Sequence, residues 1–205
     1  MTDTLTITPH RTALLLMDLQ AGILGLLSDP SDLVQRAKQA REAAVAAGIQ
    51  VVYVRVAFTE EDYKGISENN KTFAPAAEHH LFAEGSPETV IAPEVQPGPQ
   101  DKIVTKTRTG AFSTTHLDDI LRERGIDTVV LAGVSTTGVI LSTVRDAADR
   151  DYRVIVLSDV CADPDTTAHH TLLESVFPSQ ADLLDGKSFA DLLIARPADG
   201  VGPAL

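Results

Sequence analysis

A chain of 205 residues, 43% hydrophobic and 22% charged, is long enough to bury one α/β core and too apolar to stay disordered. Its formal net charge of −12 and pI of about 4.8 argue against a nucleic acid or an anionic membrane as partner, because phosphates reward a basic face. The single cysteine, Cys161, excludes an internal disulfide and any multi-cysteine metal site.

Met1-Thr2-Asp3-Thr4-Leu5-Thr6 has no basic region followed by an apolar stretch, and no apolar run approaches the length of a bilayer span. A soluble cytoplasmic protein is the expectation. Thr12-Ala13-Leu14-Leu15-Leu16-Met17 is a near-continuous apolar run, as expected of a central parallel strand covered on both faces. It stops at Asp18-Leu19-Gln20. Asp29-Pro30 reads as a helix start, with Asp29 as cap and Pro30 in the first helical position. Leu33, Ala37, Ala40, Ala44 and Ala47 recur at helical spacing, and Gly48 closes the segment. Residues 50–56 read as the second strand. Residues 57–100 are irregular and polar, with Gly65, Pro75, Gly85 and Pro93. A connection of that length is usually a lid, a binding loop or an interface segment.

Residues 102–106 form a short strand, expected to lie beside the first. A helix carrying Leu117, Ile120 and Leu121 follows, capped by Thr114 or Thr115 and running towards Gly125. Residues 128–132 are the next strand. It stops at Gly133, crosses Val134-Ser135-Thr136-Thr137-Gly138, and restarts as a helix with Val139, Ile140, Thr143, Val144 and Ala147 on one face. Residues 153–157 are a further strand, ending at Ser158-Asp159. Residues 168–176 read as helix, 181–184 as a last short strand, and 188–193 as a last helix. The tail 197–205 is rich in Gly, Pro and Ala and is expected to be loose. No internal repeat or boundary divides the chain, so one domain spans 1–205, with its core at about 11–185.

Strands alternating with helices imply a three-layer α/β/α architecture, a mostly parallel sheet with helices on both faces. Such sheets bind ligands at the carboxyl ends of their strands. That directs attention to Asp18, Arg55, Lys106, Asp159 and the turn from Gly133 to Gly138. Asp18 reads either as a turn aspartate or as a partly desolvated acid. Lys106 either snorkels to solvent or pairs with Asp18. The 133–138 turn offers the first N–H groups of a helix to an oxyanion, and is in any case a strand-to-helix turn with a hydroxyl cap. It carries neither GxGxxG nor GxSxG. Cys161 reads first as a small buried apolar residue in acidic surroundings. His79-His80 and His169-His170 are adjacent pairs, poor two-ligand metal sites, and no metal or other cofactor is expected.

Leu14-Leu15-Leu16-Met17-Asp18-Leu19-Gln20 resembles the opening strand of the isochorismatase-like hydrolase superfamily, which includes nicotinamidases and other cysteine hydrolases. Lys106-Thr107-Arg108-Thr109-Gly110-Ala111-Phe112 resembles its lysine segment, in which a serine usually stands where Gly110 is. Gly133-Val134-Ser135-Thr136 through Thr143 and Asp146-Ala147 resembles its nucleophile turn and helix. Glu84-Gly85-Ser86-Pro87 resembles a loop that precedes the lysine strand. The resemblance runs from about residue 11 to 185. It implies a six-stranded Rossmann-like sheet without a dinucleotide, Asp18 and Lys106 as catalytic residues, and a cis peptide before Ser135. It also implies an oxyanion or pocket turn formed by Val134, Ser135, Thr136, Gly138 and Val139. A homodimer or homotetramer is implied too.

The nucleophilic cysteine of the cysteine hydrolases stands six positions after the glycine of this turn. Here that position is Val139. True isochorismatases also lack the thiol; in them a carboxylic acid protonates the carbon of a vinyl ether and water completes the cleavage. The leading expectation is therefore hydrolysis of a small, carboxylate-bearing metabolite, with Asp18 as general acid. Gln20, Arg55, Arg108 and Phe112 would bind the substrate, Arg55, Arg108 or Lys106 holding its carboxylate. The alternatives are a small-amide hydrolase, dependent on Cys161 or on no cysteine, and a catalytically silent member that binds a metabolite or partner.

Overall fold

Six parallel strands make one sheet in the computed structural model, which describes residues 5–194. The expected loose tail from Pro197 lies outside the described residues. The strands are β1 (Thr12–Met17), β2 (Gln50–Val56), β3 (Lys102–Lys106), β4 (Thr128–Val134), β5 (Arg153–Ala162) and β6 (Asp182–Leu184). Their spatial order is β3-β2-β1-β4-β5-β6. The order reverses direction between β1 and β4, and a crevice opens at such a switch point.

Helices cover both faces. They are α1 (Ala21–Leu24), α2 (Ser31–Ala46), α3 (Glu60–Lys64), α4 (Ala74–Glu78), α5 (Leu117–Arg122), α6 (Leu141–Asp149), α7 (Thr166–Thr171) and α8 (Gly186–Ile194). Successive side chains of a strand point to opposite faces, so the all-apolar β1 feeds two cores. Leu14 and Leu16 pack with Leu33, Val34 and Ala37 of α2 and Phe189 of α8. Ala13, Leu15 and Met17 pack with Leu117 and Leu121 of α5 and Val144 and Ala147 of α6. Each fully buried Leu or Phe contributes about 2 kcal/mol through the water it sheds.

Several elements differ from the sequence reading. β3 does not lie beside β1; it pairs with β2, and β2 separates the two. The sequence has strands in order but no signal for which neighbour each one takes. β5 runs on past Asp159 to Ala162. Its pairing with β4 shifts register between Leu131 and Gly133, whose partners are Val156 and Cys161. The polar pair Ser158-Asp159 therefore marks a bulge in β5 rather than its end. α2 starts at Ser31, with Asp29 Oδ1 accepting the Ser31 N–H at 3.0 Å and no side-chain cap from Pro30. α5 starts at Leu117; Thr115 Oγ1 accepts the Leu117 N–H at 3.2 Å while donating to the Ala111 carbonyl.

The 57–100 stretch contains order that its polarity concealed. Thr59 and Asp62 form a capping box at the start of α3. Phe58, Tyr63 and Ala76 are buried with Val56 in a third cluster, against which Ile23, Phe73 and Phe82 pack. This segment folds over the carboxyl end of the sheet beside the switch point.

Candidate active site

Asp18 follows the last residue of β1, and its backbone N–H is held by the Val54 carbonyl of β2 at 2.8 Å. It occupies the left-handed region, with φ 54°. Aspartate tolerates that region better than branched residues do, at a cost of about 1 kcal/mol or more. Lys106 closes β3, paired in register with Val56. It is the length of the lysine stem, not strand adjacency, that joins the two groups: Lys106 reaches past β2 and its Nζ lies 2.8 Å from Asp18 Oδ2. Both side chains are buried, 3% exposed for Lys106 and 6% for Asp18. Asp18 Oδ1 is buried without a hydrogen-bond partner. Burial pushes the Asp18 pKa above the ordinary carboxylate value; the charge and hydrogen bond of Lys106 pull it down but do not cancel the burial.

The third component is the turn after β4. The Val134–Ser135 peptide is cis. Gly133 has φ 135°, and a Cβ on it would stand 1.9 Å from the Met17 carbonyl oxygen, so only glycine lets β4 approach β1 here. Ser135 Oγ accepts the Gly138 N–H at 3.1 Å, and its carbonyl accepts the Ile140 N–H at 3.1 Å. Thr136–Ile140 is a π-helical turn, a wide turn that recurs at functional sites. Thr137 donates both its N–H and its hydroxyl to Asp163 Oδ2, at 2.7 and 2.6 Å. Thr136 Oγ1 lies 2.7 Å from His169 Nδ1.

These parts meet at a cavity of about 270 Å³. Asp18, Lys106, Val134, Ser135, Gly138 and Val139 line one side. Ile23, Leu26, Phe73, Leu81 and Phe82 line the other. The walls are thus largely apolar, and the space suits a small molecule.

The remaining expected site residues do not line this cavity. Gln20 is fully buried, and its amide is engaged by backbone: it donates to the Val56 and Thr89 carbonyls at 2.9 and 3.1 Å and accepts from Val56 N–H at 2.8 Å. It ties the 57–100 segment to β2. Arg55 bonds Glu84 and Thr105. Arg108 donates to the Thr107 and Gly65 carbonyls and lies over the Phe73 ring, bracing the cavity wall from behind. Phe112 is buried against Tyr152 and Arg150. Thr136 supports the turn without lining the cavity.

Cys161 is 5% exposed, and its Sγ lies 4.0 Å from the Leu131 carbonyl. Burial, with Asp159 adding to it, pushes its thiol up to about 12 against a hydrogen bond from Gly133. It borders a separate cleft with Arg36 and Asp163. Among the described residues no group of three or more His, Cys, Asp or Glu side chains is placed to hold a metal, and no helix is long and apolar enough to cross a membrane.

The apolar walls were missed from sequence. Beyond the length of the 57–100 stretch, their signal was that Phe73 and Phe82 fall in an otherwise polar segment.

A parallel sheet with a buried acid–lysine pair beside a hydroxyl-rich turn at its switch point is the frame of an α/β enzyme. Residues 12–188 match the isochorismatase domain family, and the chain belongs to that family of hydrolases. Ureidoacrylate amidohydrolase RutB of Agrobacterium fabrum is 31% identical over 179 residues, covering 77% of this chain and 78% of that protein. A cysteine hydrolase from Pseudomonas syringae pv. phaseolicola superposes with a TM-score of 0.82 at 24% identity, covering 95% of this chain and 99% of that one, a likeness of fold. N-carbamoylsarcosine amidase from Thermoplasma acidophilum superposes with a TM-score of 0.69 at 25% identity, covering 86% and 96% of the two chains.

Proposed function

We propose that this family member hydrolyses its substrate without a thiol, using Asp18 as the proton carrier and water as the nucleophile. The observation that carries the reading is Asp18 itself: its Oδ2 is fixed by Lys106 while Oδ1 is buried without a partner, on a residue that lines the cavity. Burial favours the protonated form of this carboxyl group against the pull of Lys106, and the protonated form is the one that can donate. By the resemblance, the position of the family's thiol falls on Val139, and a valine cannot attack a carbonyl. Cys161 is no substitute, because a thiol with a pKa near 12 carries almost no thiolate at neutral pH.

The bond this apparatus suits best is an enol ether. Asp18 gives its proton to the terminal CH2 carbon, and the electron pair of the double bond forms the new C–H bond. Water adds to the resulting oxocarbenium carbon and returns a proton to Asp18. The hemiketal then expels an alcohol and leaves a 2-oxo acid. Among the described residues that line the cavity, Lys106 is the only cation. It is therefore the group that a substrate carboxylate would meet, Arg55 and Arg108 being tied to other partners.

The names of the amidohydrolase and amidase relatives favour a second reading, hydrolysis of a small amide by water with the same two residues. A panel of enol ethers, isochorismate among them, and of small amides separates the two. The expected outcome is release of a 2-oxo acid that survives treatment with iodoacetamide and falls at least about 100-fold in Asp18→Asn. Cleavage confined to amides would select the second reading. Activity abolished by iodoacetamide, or retained in Asp18→Asn, would overturn both.

A further inference from the structure

The turn that forms one wall of the cavity is held from behind by a group that can change its charge. Thr136 is fully buried, and His169 Nδ1 is the hydrogen-bond partner of its hydroxyl. Which of the two donates bears on the satisfaction of buried groups. A buried hydroxyl needs an acceptor for its proton. His169 Nδ1 is the partner shown for that proton, and Thr136 is taken as the donor to Nδ1, with the ring proton on Nε2.

His169 lies on α7, which Asp165 caps by accepting the Ala168 N–H at 2.9 Å. The groups that face its ring come from three elements. Asp163, just past the end of β5, favours the charged ring. His170, on the same helix with ring centroids 5.2 Å apart, opposes it. Thr136 comes from the turn. Partial burial outweighs Asp163 and keeps the ring's pKa below the ordinary histidine value.

We propose that His169 is a positioning residue for the 133–138 turn and makes the arrangement of that turn depend on pH. Neutral His169 receives the Thr136 hydroxyl proton. Protonated His169 has no lone pair at Nδ1 and can only donate. The Nδ1–H then donates to Thr136 Oγ1 instead, the hydroxyl proton loses its acceptor inside a buried site, and its turn towards another acceptor moves Thr136, with Ser135 on one side and Thr137 on the other. Asp163 holds Thr137 through two hydrogen bonds, so the displacement falls on Ser135 and Thr136, and Ser135 lines the cavity.

The proposal concerns the site of the hydrolase reading but needs no turnover to be tested. The probe is the free full-length protein labelled with nitrogen-15, titrated by NMR from neutral pH downwards. Two results are expected: imidazole nitrogen shifts of the Nε2–H tautomer for neutral His169, and backbone amide shifts at Ser135 and Thr136 that follow His169 with one midpoint below about 6.5. His169→Asn, whose side-chain carbonyl can take the Thr136 proton but does not titrate, should keep the neutral-pH amide positions and lose that titration. Asp18→Asn removes the acid that shares the cavity with Ser135 and should retain the titration. Turn amides that do not move with His169, or that titrate unchanged in His169→Asn, would overturn the proposal, as would an Nδ1–H tautomer. A screen that finds no substrate would count against the hydrolase reading and leave this inference standing.

Discussion

Asp18 holds three unusual features at one residue: a left-handed backbone, a buried contact with Lys106, and a carboxyl oxygen with no protein partner. No protein group meets that oxygen, and it belongs to a residue that lines the cavity. The raised pKa also makes Asp18 a stability term with a definite sign. An acid whose folded pKa lies above its unfolded value stabilises the fold fully below the unfolded pKa, near 4, and loses that contribution as pH rises through the folded value. Asp18→Asn cannot ionise. Its stability relative to wild type should therefore improve as pH rises from about 4, and level off once Asp18 is ionised in the wild type. Urea denaturation of both proteins across about pH 4–8 reads this; a constant difference would show that Asp18 has an ordinary pKa. The residues alone left Asp18 as turn or acid and Lys106 as snorkelling or paired; the resemblance pointed to the pair, and neither the strand order nor the partly exposed β3 did. Gln20, Arg55, Arg108 and Phe112 stood in equally suggestive places, but sequence does not reveal which partner a side chain meets. Arg55 meets Glu84, 29 residues away, and Gln20 meets Val56 and Thr89.

Among the elements, β4 and the turn after it carry the tightest backbone requirement. Gly133→Ala places a methyl group into the Met17 carbonyl, at a residue whose φ of 135° already excludes most side chains. Neither strand can yield without breaking the β1–β4 ladder. A loss on the order of 4 kcal/mol, or failure to fold, is expected. Gly138→Ala brings its new methyl against the Ser135 hydroxyl, at 2.7 Å, which can turn aside at the loss of the Gly138 N–H hydrogen bond. Its expected cost is about 1 kcal/mol. Soluble yield and urea midpoints distinguish the two, and equal small losses would contradict the close-approach argument. Strand identities were readable from continuous apolar runs, and β1, β2 and β3 fall at the bounds the sequence suggested. The continuation of β5 was not readable, because Ser158-Asp159 has the polarity of a strand end. Asp159 instead accepts the Gly186 N–H at 2.7 Å, and its carbonyl receives Arg36 at 2.6 Å.

At the scale of the molecule, the strand order puts the acid of β1, the lysine of β3 and the turn of β4 at one end of the sheet, while the 57–100 segment supplies an apolar roof. The acid–lysine pair is a long-range product of the whole fold, 88 residues apart in sequence (106 − 18) and separated by β2 in space. The roof matters to the chemistry as much as to packing. Phe73, Leu81 and Phe82 line the cavity that Asp18 also lines, and burial of Asp18 raises its pKa. The roof also explains why fold and pocket floor could be read from sequence while specificity could not: its residues face the cavity from a segment without regular periodicity. The central claim is that a protonated Asp18 delivers its proton to carbon. Hydrolysis of an enol ether in heavy water, followed by the mass of the 2-oxo acid released, tests it most directly. Carbon protonation predicts one deuterium on the methyl carbon of that product in the wild type, with turnover lost in Asp18→Asn; a product without deuterium on carbon, or cleavage of amides alone, would contradict it.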